Sequence, residues 1–478
     1  MYKTTLLFVL LLTTIECGAQ DFQHFLDRVN SLPLNQRQAV ADSFINACPA
    51  FPYIEHDSVA HFIFTGISNS VAMAGDATQW NPNRALSLIP GTNFWYLTQT
   101  YESDARLDYK LVTGGSNWIL DPRNPKTCMG GFGPNSELRM GGNTPPPEVA
   151  YYSDIPHGII KDTVFHSNLL NNTRPVRVYL PPSYSATAVE YPVILFHDGP
   201  EYISLAAANN VLDYLIAHKL INPVIAVFVP PVDRQPEYAG TKIDQFTSFI
   251  TTELMPYIDQ RYRTSKDLMK RATLGASDGG NIALYLGVKK PDCFGRIAAQ
   301  SSDVIPAIDS ALRFGPKLNL DFYLDIGTYD IAILIPMVHN LANLLQSKGY
   351  SFTFREIHEG HSWGNWKEHL RLPLIQFFPY SPGGINENLP GNEIRLQQNR
   401  PNPFRDGTDI LFTVPAGSRV HLDLCDYSGK LLETIFSGTV RESTNSVSFR
   451  NRNYRAGNYL CTLEVEGYIT SRILTILD

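Results

Sequence analysis

Ten residues constrain this chain more than any other stretch: Ala272-Thr273-Leu274-Gly275-Ala276-Ser277-Asp278-Gly279-Gly280-Asn281. They read as a short buried strand, a sharp turn carrying one serine between glycines, and a helix from Ile282 that Pro291 stops. A strand running straight into a helix forces the turn residue into a strained backbone that only small neighbours tolerate. The Ser277 hydroxyl would then stand above the sheet. The helix start beside it would offer unpaired N–H groups to an oxygen that becomes negative. Chance alone supplies Gly-x-Ser-x-Gly roughly 0.15 times in a chain this long, so its weight rests on the strand and helix around it.

The flanking sequence supplies that setting. Continuous apolar runs at 192–196, 224–229, 272–276, 297–299, 322–324 and 352–354 suit strands buried on both faces. Amphipathic helical patterns at 246–262 and 334–348 lie between them. This alternation predicts an α/β domain, a mostly parallel sheet covered on both sides, with ligands at the carboxyl ends of its strands. Runs at 164–165 and 176–180 are expected to join its edge as an antiparallel pair.

A serine hydroxyl is a poor nucleophile near neutral pH and needs a base in reach and an acid to orient that base. Where a serine sits on such an elbow, acid and histidine follow it in chain order. Asp330 ends one predicted strand and His361 follows the next, both on the rim of the elbow, so His361 is assigned as base and Asp330 as acid. His358 lies on a strand, Asp325 inside one, and Asp303 after the strand beyond the elbow; these are the weaker candidates. One oxyanion donor is expected to be the Asp278 N–H. The other comes from His197-Asp198-Gly199-Pro200-Glu201, where Pro200 has no N–H, leaving Gly199 or Glu201.

Several motifs then occur in order: Asp198-Gly199, Asp233-Arg234 with Glu237, Glu253-Leu254-Met255-Pro256-Tyr257-Ile258, Ser277 in Gly-x-Ser-x-Gly-Gly, Pro291 with Phe294-Gly295, and Gly360-His361-Ser362-Trp363. They resemble the esterase branch of α/β-hydrolases that includes enterochelin esterases, esterase D and feruloyl or acetyl-xylan esterases. The resemblance covers about 220 residues. It implies a serine carboxylic-ester hydrolase working through an acyl-enzyme, without metal or organic cofactor, with Arg234, Glu237 and Trp363 as substrate contacts.

Outside this domain, 478 residues leave room for about two more. Residues 1–19, a positive end followed by the apolar run 6–12, read as a signal peptide cleaved after Ala19; acylation at Cys17 is the alternative, poorly served by Glu16. Residues 20–138 read as a helical lead-in at 21–48 and then a β-sandwich, with strands at 59–64, 70–73, 93–97 and 107–111. The spacing of Trp80, Trp95, Tyr109 and Trp118 resembles glycogen-binding-type immunoglobulin-like modules. These tryptophans are expected in the core rather than on a sugar-binding platform.

Residues 139–155 form a linker by composition, the hydrolase occupies 156–380, and 381–394 is a second linker. From 395 to 478 runs an all-β domain with turns at 426–430 and 456–459. Its Gln398-Asn399-Arg400-Pro401-Asn402-Pro403-Phe404 opening resembles the C-terminal sorting domain of the Bacteroidota type IX secretion system. That resemblance implies an export address and a secreted or surface-attached protein with the type IX machinery as a partner.

The net charge of −7 gives no electrostatic footprint for nucleic acid, and no apolar run approaches the ~20 residues of a membrane span. Cys425 with Cys461 is the one disulfide worth weighing against packed, reduced cysteines. The sequence-level expectation is an enzyme for acyl esters, feruloyl or acetyl, on polysaccharides. A siderophore-lactone esterase is the runner-up, and an inactive surface carbohydrate-binding protein is the reading from another class.

Overall fold

The computed structural model describes residues 21–381, 395–425, 431–465 and 468–477. The expected signal peptide with Cys17, most of the second linker and the 426–430 turn lie outside the described residues. The chain forms two compact units.

Of the described residues, the first unit comprises 21–105, 109–127 and 135–143. Its helices Phe22–Ser31 and Leu34–Ala47 are more than a lead-in. Phe22, Phe25, Val29 and Phe44 are buried with Tyr53, Ile63 and Phe94, so the helices supply one wall of a core. Strand Val59–Thr65 is apolar at nearly every position because it is covered twice. Ile63 faces the helices, while Phe62 stacks edge-on against Tyr109, whose strand pairs with Val71–Gly75. Trp95 is buried as expected, Trp80 is half-buried, and Trp118 is exposed, so the core assignment fails for Trp118.

The second unit comprises residues 106–108, 128–134 and the described residues from 144 onward. Its central strands are β1 (Ile159–Ser167), β2 (Asn172–Leu180), β3 (Val193–His197), β4 (Ile225–Val229), β5 (Arg271–Ala276), β6 (Arg296–Gln300), β7 (Asp321–Tyr329) and β8 (Ser351–Gly360). They lie in the order β1-β2-β4-β3-β5-β6-β7-β8. β1 and β2 pair antiparallel, as expected for the edge, β2 meets β4 antiparallel, and the other pairs are parallel.

Alternate side chains feed two cores. Val193 and Leu195 pack with helices Asp278–Lys289 and Leu334–Ser347 on one face, and Ile194 and Phe196 with Ala208–Ala217 and Arg371–Phe377 on the other. Strand order reverses between β3 and β5, which opens a crevice at their carboxyl ends. The helix expected over 246–262 is interrupted: a wide turn, Phe249–Leu254, precedes Met255–Arg261, because Pro256 has no N–H and its ring crowds the carbonyl four residues back.

The expected first linker is packed in its second half. Glu148 is buried and pairs with Arg371 at 3.1 Å.

The C-terminal segment forms a three-stranded and a four-stranded sheet around Phe404, Phe412, Leu422, Leu424 and Leu463. Its opening motif ties the segment together. Asn399 Nδ2 donates to Thr408 Oγ1 (2.9 Å), Asn402 Oδ1 accepts from Thr475 N–H (2.8 Å), and Phe404 N–H donates to Thr475 O (3.0 Å). Cys425 and Cys461 form no disulfide. Cys461 stands opposite Leu424 and Cys425 opposite Leu460, so the two thiols leave opposite faces of the sheet and cannot bridge.

Candidate active site

β5 ends at Ala276, and Ser277 joins it directly to the helix Asp278–Lys289. At φ 57° and ψ −128°, Ser277 holds a conformation that costs a non-glycine residue about 1–3 kcal/mol. The turn is held from three sides: Ser277 N–H donates to Gln300 O (2.9 Å), and Ser277 O accepts from Gly280 and Asn281 N–H. The glycines are explained by contact. A Cβ on Gly275 would stand 2.1 Å from the Gly279 carbonyl oxygen, so strand and helix meet too closely for any side chain.

His361 follows β8, and its Nδ1 lies 2.8 Å from Asp330 Oδ1. Asp330 is fully buried after β7, and its Oδ1 also accepts from Ile331 N–H (2.7 Å). The structure thus brings these two side chains within hydrogen-bond distance of each other. Among the described residues Ser277 Oγ makes no hydrogen bond.

Several contacts connect the histidine segment to the elbow. Trp366 lies edge-on to His361 with ring centroids 5.0 Å apart, and its indole N–H donates to Ser301 Oγ (3.0 Å). Gln300 Nε2 donates to Trp366 O. Of the other candidates, His358 sits on β8, Asp325 is buried within β7 and bonded to Gln300 and Ser301, and Asp303 is half-buried after β6.

The loop after β3 narrows the donor question. Glu201 N–H donates to Asp198 O (3.1 Å), which removes it as an oxyanion donor. Among the described residues the N–H groups of Gly199 and Asp278 donate to nothing. Gly199 packs against β4, where a Cβ would stand 2.5 Å from Phe228 C and Val229 N. The buried His197 binds Thr273 Oγ1 at 2.9 Å, and burial holds its imidazole neutral with a pKa lowered to about 3.

Asp233-Arg234-x-x-Glu237 is a short helix, Arg234–Tyr238, with two opposed functions. The Glu237 carboxylate is fully buried. It takes both terminal nitrogens of the equally buried Arg174 (2.9 and 3.0 Å) and the Val232 N–H (3.1 Å). Glu237 therefore cannot contact substrate. It anchors the helix that presents Arg234. The Arg234 guanidinium holds Asp198 through Nε (2.9 Å) and Nη2 (2.8 Å), and Asp278 through Nη1 (2.9 Å). Burial raises the Asp198 carboxyl, with Arg234 opposing it; burial lowers Arg234, but its bonds to Asp198 outweigh that and hold it more firmly charged. Burial likewise raises Glu201 and Asp303.

Trp363, half-buried, stacks edge-on to Tyr202 (5.2 Å) and Trp366 (4.9 Å) in the helix after His361. Sequence reasoning missed Arg106, which is fully buried and donates to Ser362 Oγ (3.2 Å) and Asp108 (2.7 Å), with Glu359 3.6 Å away. Gly364 is required there, since a Cβ would fall 2.0 Å from the Arg106 guanidinium. It also missed Asn281, whose side chain bridges Tyr238 O (2.8 Å) and Ile305 N–H (3.0 Å). Asp108 apart, their partners are remote in sequence, and no local pattern announces them.

Residues 167–377 match the family described as "Putative esterase". An endo-1,4-beta-xylanase/feruloyl esterase from Xylanibacter ruminicola is 28% identical over 158 residues, which is 30% of this chain and 22% of that protein. An iron(III) enterobactin esterase from Escherichia coli is 26% identical over 258 residues, 47% of this chain and 62% of that protein. The chain thus spans less than two thirds of either relative. The crystal structure of the enterobactin esterase from Shigella flexneri, determined in the presence of enterobactin, shares the fold with a TM-score of 0.59 at 21% identity, over 68% of this chain and 94% of that one.

Proposed function

We propose that residues 167–377, which match that esterase family, hydrolyse esters as an α/β-hydrolase with Ser277 as nucleophile. Ser277 Oγ attacks the ester carbonyl while His361 Nε2 takes its proton. Asp330 holds the imidazole in the right tautomer and offsets the charge it gains. The Gly199 and Asp278 N–H groups receive the oxyanion, the alcohol leaves with the proton, and water activated by His361 releases the acid from the acyl-enzyme. The observation that carries this reading is the strained Ser277 backbone beside two free amides. The experiment is hydrolysis of p-nitrophenyl acetate by wild type and Ser277→Ala. A loss of on the order of 10⁴ is expected, and undiminished turnover would overturn the assignment.

The preferred substrates are feruloyl or acetyl esters of polysaccharides, supported by the Xylanibacter relative, with Trp363 as a wall of the acyl site. The enterobactin esterases favour the runner-up, a catecholate lactone. Feruloylated, acetylated and catecholate-lactone esters assayed side by side separate the two, and an inactive carbohydrate-binding protein would cleave none. The type IX resemblance of residues 395–478 supports a secreted or surface-attached enzyme that uses that machinery. Loss of export on deleting those residues is the expected result.

A further inference from the structure

The two amides assigned to the oxyanion belong to separate segments. Gly199 follows β3 and Asp278 follows β5, and each comes after a residue with left-handed φ, Asp198 at 52° and Ser277 at 57°. An oxyanion site works only when both donors stand about 2.7–3.1 Å from one oxygen position. β3 and β5 pair directly only as far as Phe196 opposite Leu274, short of both turns. Arg234 touches both. Its forked contact grips the buried Asp198, the residue before one donor, while Nη1 grips the side chain of Asp278, the other donor, and Nη2 reaches Ala276 O at 3.3 Å.

The surroundings serve this link. Gly279 leaves the space that Asp198 Oδ2 fills, since a Cβ there would stand 2.9 Å from it. Tyr238 OH accepts the Asp198 N–H (3.0 Å), and the buried Arg174–Glu237 pair fixes the short helix below.

We infer that Arg234 is the positioning residue of the oxyanion site: it sets the spacing of the Gly199 and Asp278 amides and binds no part of the ester itself. This rests on the reading of Ser277 as nucleophile. With both of its carboxylate partners engaged, the guanidinium is neutralised and is not a free anchor for an anionic substrate.

The test compares Arg234→Met and Arg234→Lys with wild type on the neutral esters p-nitrophenyl acetate and butyrate, together with binding of a trifluoromethyl ketone as oxyanion mimic. Arg234→Met should lower kcat by about 10²–10³ with KM within about threefold, and weaken the ketone by a similar factor. Arg234→Lys should recover part of both, because an ammonium replaces one link of the fork. A raised KM at unchanged kcat, or a kcat loss with undiminished ketone affinity, overturns the inference. If Arg234→Met fails to fold, Arg234→Lys and Asp278→Asn carry the same comparison. Wild-type turnover in Ser277→Ala would remove the nucleophile reading, whereas a silent Ser277→Ala beside a fully active Arg234→Met removes the clamp alone.

Discussion

Replacing Asp330 by asparagine leaves the shape of the site and removes one charge. In the proposed mechanism His361 becomes imidazolium as Ser277 attacks, with Asp330 Oδ1 2.8 Å from its Nδ1 in a fully buried position. At an effective dielectric near 20, opposite unit charges at that separation attract by about 6 kcal/mol, equivalent to about four decades in rate. An asparagine amide could also donate to Nδ1, which places the remaining imidazole proton on Nε2 and removes the base from Ser277. Asp330→Asn should therefore lower kcat for p-nitrophenyl acetate by about 10³–10⁴, with KM changed little and the melting temperature preserved. Steady-state rates with a thermal melt on the same sample supply the check. A variant within tenfold of wild type would refute the reasoning, and parallel loss in Asp325→Asn or Asp303→Asn would relocate the acid.

Two other groups make separate predictions. Glu237→Ala strands the buried Arg174 guanidinium, which should cost about 3–5 kcal/mol and lower the melting temperature, whereas a substrate contact would shift KM and leave the melt in place. Burial raises the Asp325 pKa from 3.8 to about 6, with His369 opposing, so this group holds its proton more tightly folded than unfolded. The stability it contributes is complete below pH about 4 and is lost as pH rises through 6, an amount of about 3 kcal/mol. Urea midpoints should show wild type losing ground to Asp325→Asn across that window, and parallel pH curves would contradict the assignment.

The elbow was legible in the sequence because everything that defines it is local: a buried strand, small residues and a helix within about twenty positions. The proximity of Asp330 and His361 was legible because parallel topology puts successive strand ends on one rim, so chain order stands in for space. The contacts of Arg234 and Glu237 were not legible. Arg234 meets Asp198 36 residues back and Asp278 44 residues on, and Glu237 meets Arg174 63 residues away. A motif that looked like two substrate contacts is one anchor and one bridge, a distinction that depends on which side of a five-residue helix each side chain leaves. Glu201 was kept open as a donor since Pro200 alone could not show that its N–H closes a turn onto Asp198 O. The N-terminal helices read as a lead-in because amphipathicity shows that a face is buried without naming what buries it.

The most direct measurement is covalent labelling of the full chain with a fluorophosphonate, followed by peptide mass spectrometry. A single adduct on Ser277 is expected, absent in Ser277→Ala and strongly slowed in His361→Ala. An adduct on another residue, or ester turnover that persists in Ser277→Ala, would contradict the mechanism.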